Sequence, residues 1–309
     1  MLKQRISVLP PCFICLCLLL FFGTGCGNKS ASSSNEPPVF SPPRVLVTEA
    51  PGTDTLGQSP LVLDISNISQ GYLTAISDDN GTTKNIQLSS DDGIVYSYFI
   101  KSGENAAIPF TSGSGTYQIS CYEQIAGSQY AALYAQTLDV SLENEFLPFL
   151  YPNQYVNFTP ESRACRLALS LLPEYATEQE CINSVYDYVT THIMYDTEKA
   201  ATVEAGYLPD IDKTMETGKG ICFDYAALMT AMLRSRDIPC KLQIGYAGDI
   251  KHAWIDVYIR GKGWVEHAIS YDGEQWNRMD PTFAANSEDE ELTSSYIGDS
   301  ENYTLQFTR

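Results

Sequence analysis

The sequence has few basic side chains: Lys and Arg total 19 against 38 Asp and Glu, which gives a formal net charge of -19. A surface of this sign repels nucleic-acid phosphates and anionic lipid headgroups, so we exclude a polynucleotide partner. The apolar run from Cys12 to Phe22 is shorter than the ~20 residues that a membrane-spanning helix needs. Zinc-finger spacing and organic cofactor motifs are absent as well, and we therefore predict no cofactor.

The N-terminal 25 residues have the pattern of a bacterial signal peptide. Lys3 and Arg5 precede the apolar run, and small residues follow it directly before Cys26. This cysteine resembles the lipidated cysteine of a lipobox, although Gly23 stands where leucine is commoner. We therefore predict removal of the leader, a lipid anchor on Cys26 and an extracytoplasmic location at the bacterial cell surface; secretion without a lipid is the alternative. Residues 26–44, rich in Ser, Pro and Asn, are interpreted as a flexible linker.

Residues 45–145 are predicted to form an immunoglobulin-like β-sandwich. Short β-rich runs alternate there with turn residues, without a helical period. Asn80-Gly81 is a hairpin signal between two of these runs. The predicted strands are Leu61–Ile65, Tyr72–Ile76, Lys84–Leu88, Ile94–Ile100, Tyr117–Gln124 and Tyr130–Val140. The connector 146–160 is too apolar for a solvated linker and too interrupted by proline for an interior helix, so we expect it to be ordered and to pack against one or both domains.

A helical period begins near residue 160, and residues 161–309 are predicted to form a separate α+β domain. Thr177 with Glu180 predicts a capping box at a helix start. An apolar stripe at helical spacing follows, and we expect it to face the core. The stripe consists of Ile182, Val185, Val189 and Ile193. Farther along, the runs at 241–246, 252–259 and 264–268 predict an antiparallel sheet.

Cys222 stands where a helix is predicted to begin. It follows two glycines, Gly218 and Gly220, and precedes a run rich in Ala, Leu and Met, which are good helix formers. The free N–H groups and the positive end of the dipole at a helix N-terminus favour a thiolate over a thiol. Because the thiolate is the nucleophilic form, the pattern indicates a nucleophilic cysteine whose backbone N–H is a candidate oxyanion donor.

His252 and Asp280 supply the other two functions that such a nucleophile needs. His252 opens an alternating run in which Ala253 and Ile255 share one face, so that His252 and Trp254 lie on the other. Asp280 precedes a proline, which biases it toward an extended backbone at a strand end. A thiol, a base and a carboxylate that orients the base form the standard chain of a nucleophilic triad.

These residues resemble the transglutaminase-like superfamily, a circularly rearranged relative of the papain-like cysteine proteases. The resemblance rests on Gly220-Ile221-Cys222-Phe223-Asp224-Tyr225-Ala226, Arg236-Asp237-Ile238-Pro239-Cys240, Gly245-Tyr246, His252-Ala253-Trp254 and Asp280-Pro281-Thr282. It implies a papain-like α+β catalytic domain with Cys222 as nucleophile, His252 as general base and Asp280 as the residue that orients it. It further implies cleavage or transfer of amide bonds in a protein or peptide substrate through a thioester.

Three alternatives remain open at this level. Cys222, His252, His267 and Asp280 are a candidate zinc set, although without tight ligand spacing. Cys165 and Cys181 lie on consecutive predicted helices, where an oxidising compartment permits a disulfide. The whole chain is alternatively a surface binding or adhesion lipoprotein in which the transglutaminase-like domain is a scaffold without catalytic activity.

Overall fold

The computed structural model describes residues 36–40, 42–174, 176–266, 269–271, 276–278, 282 and 302–309. All of them belong to one compact unit, which spans residues 32–309. The fold is a mixture of helices and many strands, with two regions that each enclose a hydrophobic core. In the described part of the chain, no helix combines the length and the apolar character that crossing a membrane requires.

The N-terminal region consists of two antiparallel sheets around one core. The first sheet has the order β1-β2-β3-β6 and the second β5-β4-β7-β8, and side chains from both meet in a shared cluster. The strands are β1 (Thr55–Gln58), β2 (Leu61–Asp64), β3 (Tyr72–Ser77), β4 (Lys84–Ser89), β5 (Val95–Ile100), β6 (Asn105–Pro109), β7 (Gly115–Ala126) and β8 (Gln129–Val140). All six predicted strands are present, whereas β1 and β6 were not predicted.

The predicted hairpin at Asn80-Gly81 is wrong. β3 pairs with β2 and β6, whereas β4 pairs with β5 and β7, so the chain crosses from one sheet to the other at this turn. The Asn80 side chain accepts hydrogen bonds from the backbone N–H and the hydroxyl of Thr82, and its amide donates to Glu123 on β7. The asparagine therefore stabilises a turn between layers, where the dipeptide pattern alone favours a turn between paired strands.

In the described part of the C-terminal region, five helices accompany a four-stranded sheet, and the last of these helices packs on the two central strands. The helices are α1 (Arg163–Leu171), α2 (Glu178–His192), α3 (Thr197–Thr202), α4 (Ile211–Thr217) and α5 (Cys222–Arg234). The sheet has the order β13-β12-β11-β16, with β11 (Cys240–Ala247), β12 (Ile250–Ile259), β13 (Gly263–Val265) and β16 (Tyr303–Thr308). Two short pairs complete it: β9 (Met194–Tyr195) with β10 (Lys219–Gly220), and β14 (Ile269–Tyr271) with β15 (Trp276–Arg278).

Several local predictions for this region are confirmed. The capping box of α2 is present, with Thr177 and Glu180 bonded reciprocally. The predicted stripe is buried throughout.

The two cysteines considered for a disulfide, Cys165 and Cys181, are both free and buried, so that pairing is wrong.

The connector between the two regions is ordered and touches both of them. Phe149 packs edge to face on Trp264 of the C-terminal sheet, with ring centroids 5.3 Å apart. Tyr155 packs in the same manner on Tyr98 of β5, at 5.7 Å. This confirms the predicted packing of the connector, and it extends to both regions.

Candidate active site

Cys222 is the first residue of α5, as predicted. Ile221 precedes the helix with an extended backbone, and its N–H donates to the Asp224 carboxylate at 2.8 Å. The remainder of α5 is buried from Asp224 to its end, so the helix is a central element of the core. The Cys222 side chain packs at the margin of this core and is partly exposed. The nucleophile predicted from the sequence is thus both at a helix N-terminus and accessible.

The other cysteines that the structure describes differ from Cys222 in being buried. Burial raises the pKa of Cys121 to about 11 and that of Cys165 and Cys240 to about 12. It also raises the pKa of Cys181. These four thiols are therefore protonated and shielded at neutral pH, since a low dielectric disfavours the charged thiolate.

His252 lies on β12, the predicted strand, at 6% exposure. Its ring stacks near Trp254, with centroids 6.4 Å apart and planes 18° from parallel, and also faces Tyr303 at 6.3 Å. Ala253 and Ile255 belong to the core that includes α5. His252 therefore occupies the opposite face of the strand from the residues that pack against the helix, as the alternation predicted.

The start of β12 is fixed by its antiparallel pairing with β11, and α5 packs against both of these strands. Gly245 is paired with His252 across the β11–β12 ladder. A side chain at position 245 has no room, because a Cβ there would lie 2.9 Å from the Trp254 ring and closer still to the Thr304 carbonyl.

The remaining predicted site residues are not among those the structure describes. Asp280, His267 and Cys26 all lie outside the described residues. The triad of Cys222, His252 and Asp280 is consequently still a prediction as a unit, and so is the lipid anchor. The zinc alternative, which needs His267 and Asp280, is untested as well. The structure places Cys222 on α5 and His252 on β12.

A polar cluster that was not predicted lies at the start of α5, around Asp224. Asp224 is fully buried and is contacted by Lys199 of α3 and by the hydroxyl of Tyr207. An acidic residue at the third helical position is a recognisable capping signal, so Asp224 was detectable in the sequence. Lys199 was not, because it reaches Asp224 through the tertiary packing of α3 beside the start of α5.

Residues 167–269 match the family model of the Transglutaminase-like superfamily. The chain thus contains a transglutaminase-like domain, which confirms the predicted resemblance. The matched segment includes Cys222 and His252 and ends before Asp280.

Individual relatives match part of the chain. The kyphoscoliosis peptidase of Mus musculus is 28% identical over 116 residues, which are 34% of this chain and 17% of that protein. The uncharacterized protein YebA of Bacillus subtilis (strain 168) is 26% identical over 140 residues, 38% of this chain and 19% of that protein. The chain thus spans less than a fifth of the length of these relatives. A crystal structure of a candidate cysteine protease from Cytophaga hutchinsonii aligns at 13% identity and a TM-score of 0.38, covering 77% of this chain and 78% of that one.

Proposed function

We propose that the protein is a cysteine enzyme that acts on amide bonds of proteins or peptides. The observation that carries this proposal is the position of Cys222, an accessible thiol at the first residue of α5 inside the segment that matches the transglutaminase-like family model. The four buried cysteines provide the contrast within the same chain. An accessible thiol at a helix N-terminus is the environment in which a cysteine acts as a nucleophile.

The reaction forms and breaks one bond in each of two steps. The Cys222 thiolate attacks the carbonyl carbon of a carboxamide or peptide bond, and the Cys222 backbone N–H donates to the resulting oxyanion. His252, oriented by Asp280, gives a proton to the leaving amine as the carbon–nitrogen bond breaks, which leaves a thioester. Water or a second amine then attacks the thioester, and His252 accepts the proton of that nucleophile. Water gives hydrolysis and an amine gives transfer.

Mass spectrometry of a peptide mixture incubated with the protein and a labelled primary amine tests this activity. We expect cleavage, deamidation or incorporation of the amine, each of which disappears in Cys222→Ala. His252→Ala should lower turnover by roughly 10²- to 10⁴-fold, the range typical of a lost general acid or base. Cys121→Ala is the control, because this cysteine lies in the N-terminal core. Product formation that persists in Cys222→Ala would exclude the proposed nucleophile.

The transglutaminase-like domain has a non-catalytic alternative, a scaffold in a binding or adhesion protein. Iodoacetamide labelling of the folded protein separates the two, since it needs no substrate. A functional site predicts that Cys222 labels well before the four buried cysteines at mildly acidic pH, and that His252→Ala slows this labelling. Because exposure alone also makes Cys222 label before the buried cysteines, labelling of Cys222 that is unaffected by His252→Ala would favour the scaffold.

We further propose that the protein is held at the outer face of the cell membrane by a lipid on Cys26. The support is the sequence alone, namely a basic start, an apolar run and small residues before the cysteine. Cys26→Ser should move the protein from the membrane fraction to the soluble fraction, whereas Cys121→Ala should not. Retention of Cys26→Ser in the membrane fraction would contradict the anchor.

The N-terminal region is proposed to be an immunoglobulin-like sandwich that supports the catalytic domain. Two four-stranded antiparallel sheets around one core support this assignment. Phe307 of β16 also packs against that core, so the two regions share part of their interior.

A further inference from the structure

Asp224 holds the chain immediately before the nucleophile. Its two carboxylate oxygens receive three donors: the Ile221 N–H at 2.8 Å and Lys199 Nζ at 2.7 Å share Oδ2, and the Tyr207 hydroxyl donates to Oδ1. All three contacts are donors, so the group acts purely as an acceptor. The side chain is fully buried. The residue that precedes Cys222 is therefore fixed by a buried carboxylate in the first turn of α5.

The fit between Asp224 and the preceding loop is close. A Cβ at position 220 would lie 2.6 Å from the Asp224 Cβ, so that only glycine is accommodated beside this carboxylate. The Tyr207 hydroxyl remains a donor, because burial raises the pKa of Tyr207 and the neighbouring Asp224 raises it further. The cluster is thus built to hold a carboxylate at this place.

A negative charge in this position opposes the chemistry proposed for Cys222. Asp224 is two residues from Cys222 in the first turn of α5, and its carboxylate accepts from the N–H of Ile221, the residue directly before Cys222. An uncompensated negative charge in the same helical turn disfavours a thiolate. Lys199 supplies the opposite charge. Its own position is fixed, since the Asp196 side chain accepts from the Lys199 N–H at 2.9 Å and the Lys199 ammonium lies 4.3 Å from the centre of the Tyr207 ring.

We propose that Lys199 is a positioning residue of the active site. It neutralises Asp224, so that the carboxylate that anchors Ile221 can occupy the same helical turn as the Cys222 thiolate. Lys199 acts through Asp224 and does not touch the reacting atoms. The inference rests on the proposed function to the extent that Cys222 must be a reactive thiol.

Other charged groups line the same cleft and provide controls. They are Asp196, Asp210, Lys213 and Lys219. Lys213 pairs with Glu216 at 2.9 Å, and both side chains are more than 60% exposed, at 63% and 65%. Lys213→Met removes the same charge as Lys199→Met from the same cleft but leaves Asp224 and its contacts intact. A comparison of the two variants therefore separates a local effect on Asp224 from a general change in surface charge.

The test is the pH profile of Cys222 alkylation by iodoacetamide, which is small, uncharged and independent of substrate binding. Lys199→Met should move the midpoint of the profile upward by about one pH unit, equivalent to about tenfold slower labelling at mildly acidic pH. Lys199→Arg should restore the parent profile, and Lys213→Met should leave it unchanged. Thermal unfolding of each variant is measured in parallel, since a purely structural role lowers the melting temperature without moving the profile.

The double variant Lys199→Met with Asp224→Asn gives the sharper result. Asparagine retains an acceptor for the Ile221 N–H but has no charge, so labelling should return to the parent profile if Lys199 acts by neutralising Asp224. An unchanged profile in folded Lys199→Met overturns the inference, as does a double variant as slow as the single one. Failure of the proposed function is distinguishable, because His252→Ala would then leave the labelling profile of Cys222 unchanged.

Discussion

Lys84 in the N-terminal region and Arg234 in the C-terminal region are both fully buried cations. They differ in how far along the sequence their hydrogen-bond partners lie. Lys84 Nζ donates to Asn80 and Thr82, within four residues, and lies 3.4 Å from Glu123 on the neighbouring strand. The N-terminal region thus satisfies its buried charge within one turn and one strand pair.

Among the described residues, Arg234 donates only to main-chain oxygens, and two of them, those of Tyr151 and Arg309, are distant in the sequence. Its guanidinium donates to Cys240 at 2.8 and 3.0 Å, to Tyr151 of the connector at 2.7 Å and to Arg309 at 3.1 Å. Burial lowers the pKa of Arg234 to about 10. Since Arg234 ends the helix that begins with Cys222, three chain segments together fix the far end of the candidate nucleophilic helix.

Both regions contribute contacts to the surroundings of α5. Arg309, at the end of β16, has its guanidinium 4.7 Å from the Tyr98 ring and 4.2 Å from the Tyr155 ring, and it donates to the Tyr98 hydroxyl at 2.9 Å. Tyr155 in turn lies 6.2 Å from the ring of Phe223, the residue after Cys222. The N-terminal region therefore reaches the candidate site through the connector, although its own buried charge is satisfied locally.

Replacing Arg234 should produce the largest loss of stability. Arg234→Met removes four hydrogen bonds and leaves buried carbonyl groups unpaired, so we expect the free energy of unfolding to fall by about 4 kcal/mol. Urea denaturation followed by circular dichroism measures this loss. Arg163→Met is the matched control, because Arg163 is exposed at the start of α1. Similar losses in the two variants would refute the role assigned to Arg234.

The corresponding change in the N-terminal region should cost less. Lys84→Met loses the bonds to Asn80 and Thr82, but methionine fills the same space and Glu123 is free to turn toward solvent, so we expect a loss of about 2 kcal/mol. Labelling of Cys222 by iodoacetamide should be unaffected. Lys101→Met, at an exposed position in the same region, is the control. Slower labelling of Cys222 in folded Lys84→Met would show that the regions are coupled through this charge as well.

The sequence was sufficient for features that depend on neighbours along the chain. The capping box at Thr177, the stripe of α2, the helix start at Cys222 and the alternation of β12 all follow from residues a few positions apart. The short strands β1 and β6 were not predicted, because Thr55–Gln58 and Asn105–Pro109 have little apolar alternation.

Features that depend on distant residues could not be predicted. β16 pairs with β11 across about 60 residues of sequence, and its own pattern does not identify that partner. Arg234 has the signature of an ordinary cation in the last turn of a helix, which normally faces solvent. Its burial follows from tertiary packing around α5, and the same holds for the contact of Lys199 with Asp224.

Asp237, three residues after Arg234, is a buried charge that lacks good partners. Neither of its carboxylate oxygens makes a hydrogen bond of normal geometry, and its φ of 62° is the one left-handed value for a non-glycine residue in the described ranges. Burial raises the pKa of Asp237 from 3.8 to about 7, against opposing contributions from the Arg44 backbone N–H and from the charges of Arg44, Arg236 and Arg260. Both the backbone conformation and the burial should therefore reduce stability.

Asp237→Gly should stabilise the protein by about 1 kcal/mol. Glycine adopts the left-handed backbone conformation without strain, and the substitution also removes the buried carboxylate that lacks hydrogen bonds. The folded state holds the Asp237 proton more tightly than the unfolded state, so the parent has no charge penalty below pH 3.8, loses stability as the pH rises, and bears the full penalty above about 7. The gain should consequently be larger at pH 8 than at pH 4. Asp237→Asn, which keeps the side chain but not the charge, should show the same pH dependence with a smaller gain at pH 4. Urea unfolding of the parent and the two variants at both pH values measures the gain in the free energy of unfolding. A gain that does not grow with pH would show that Asp237 is charged at no cost in the folded protein.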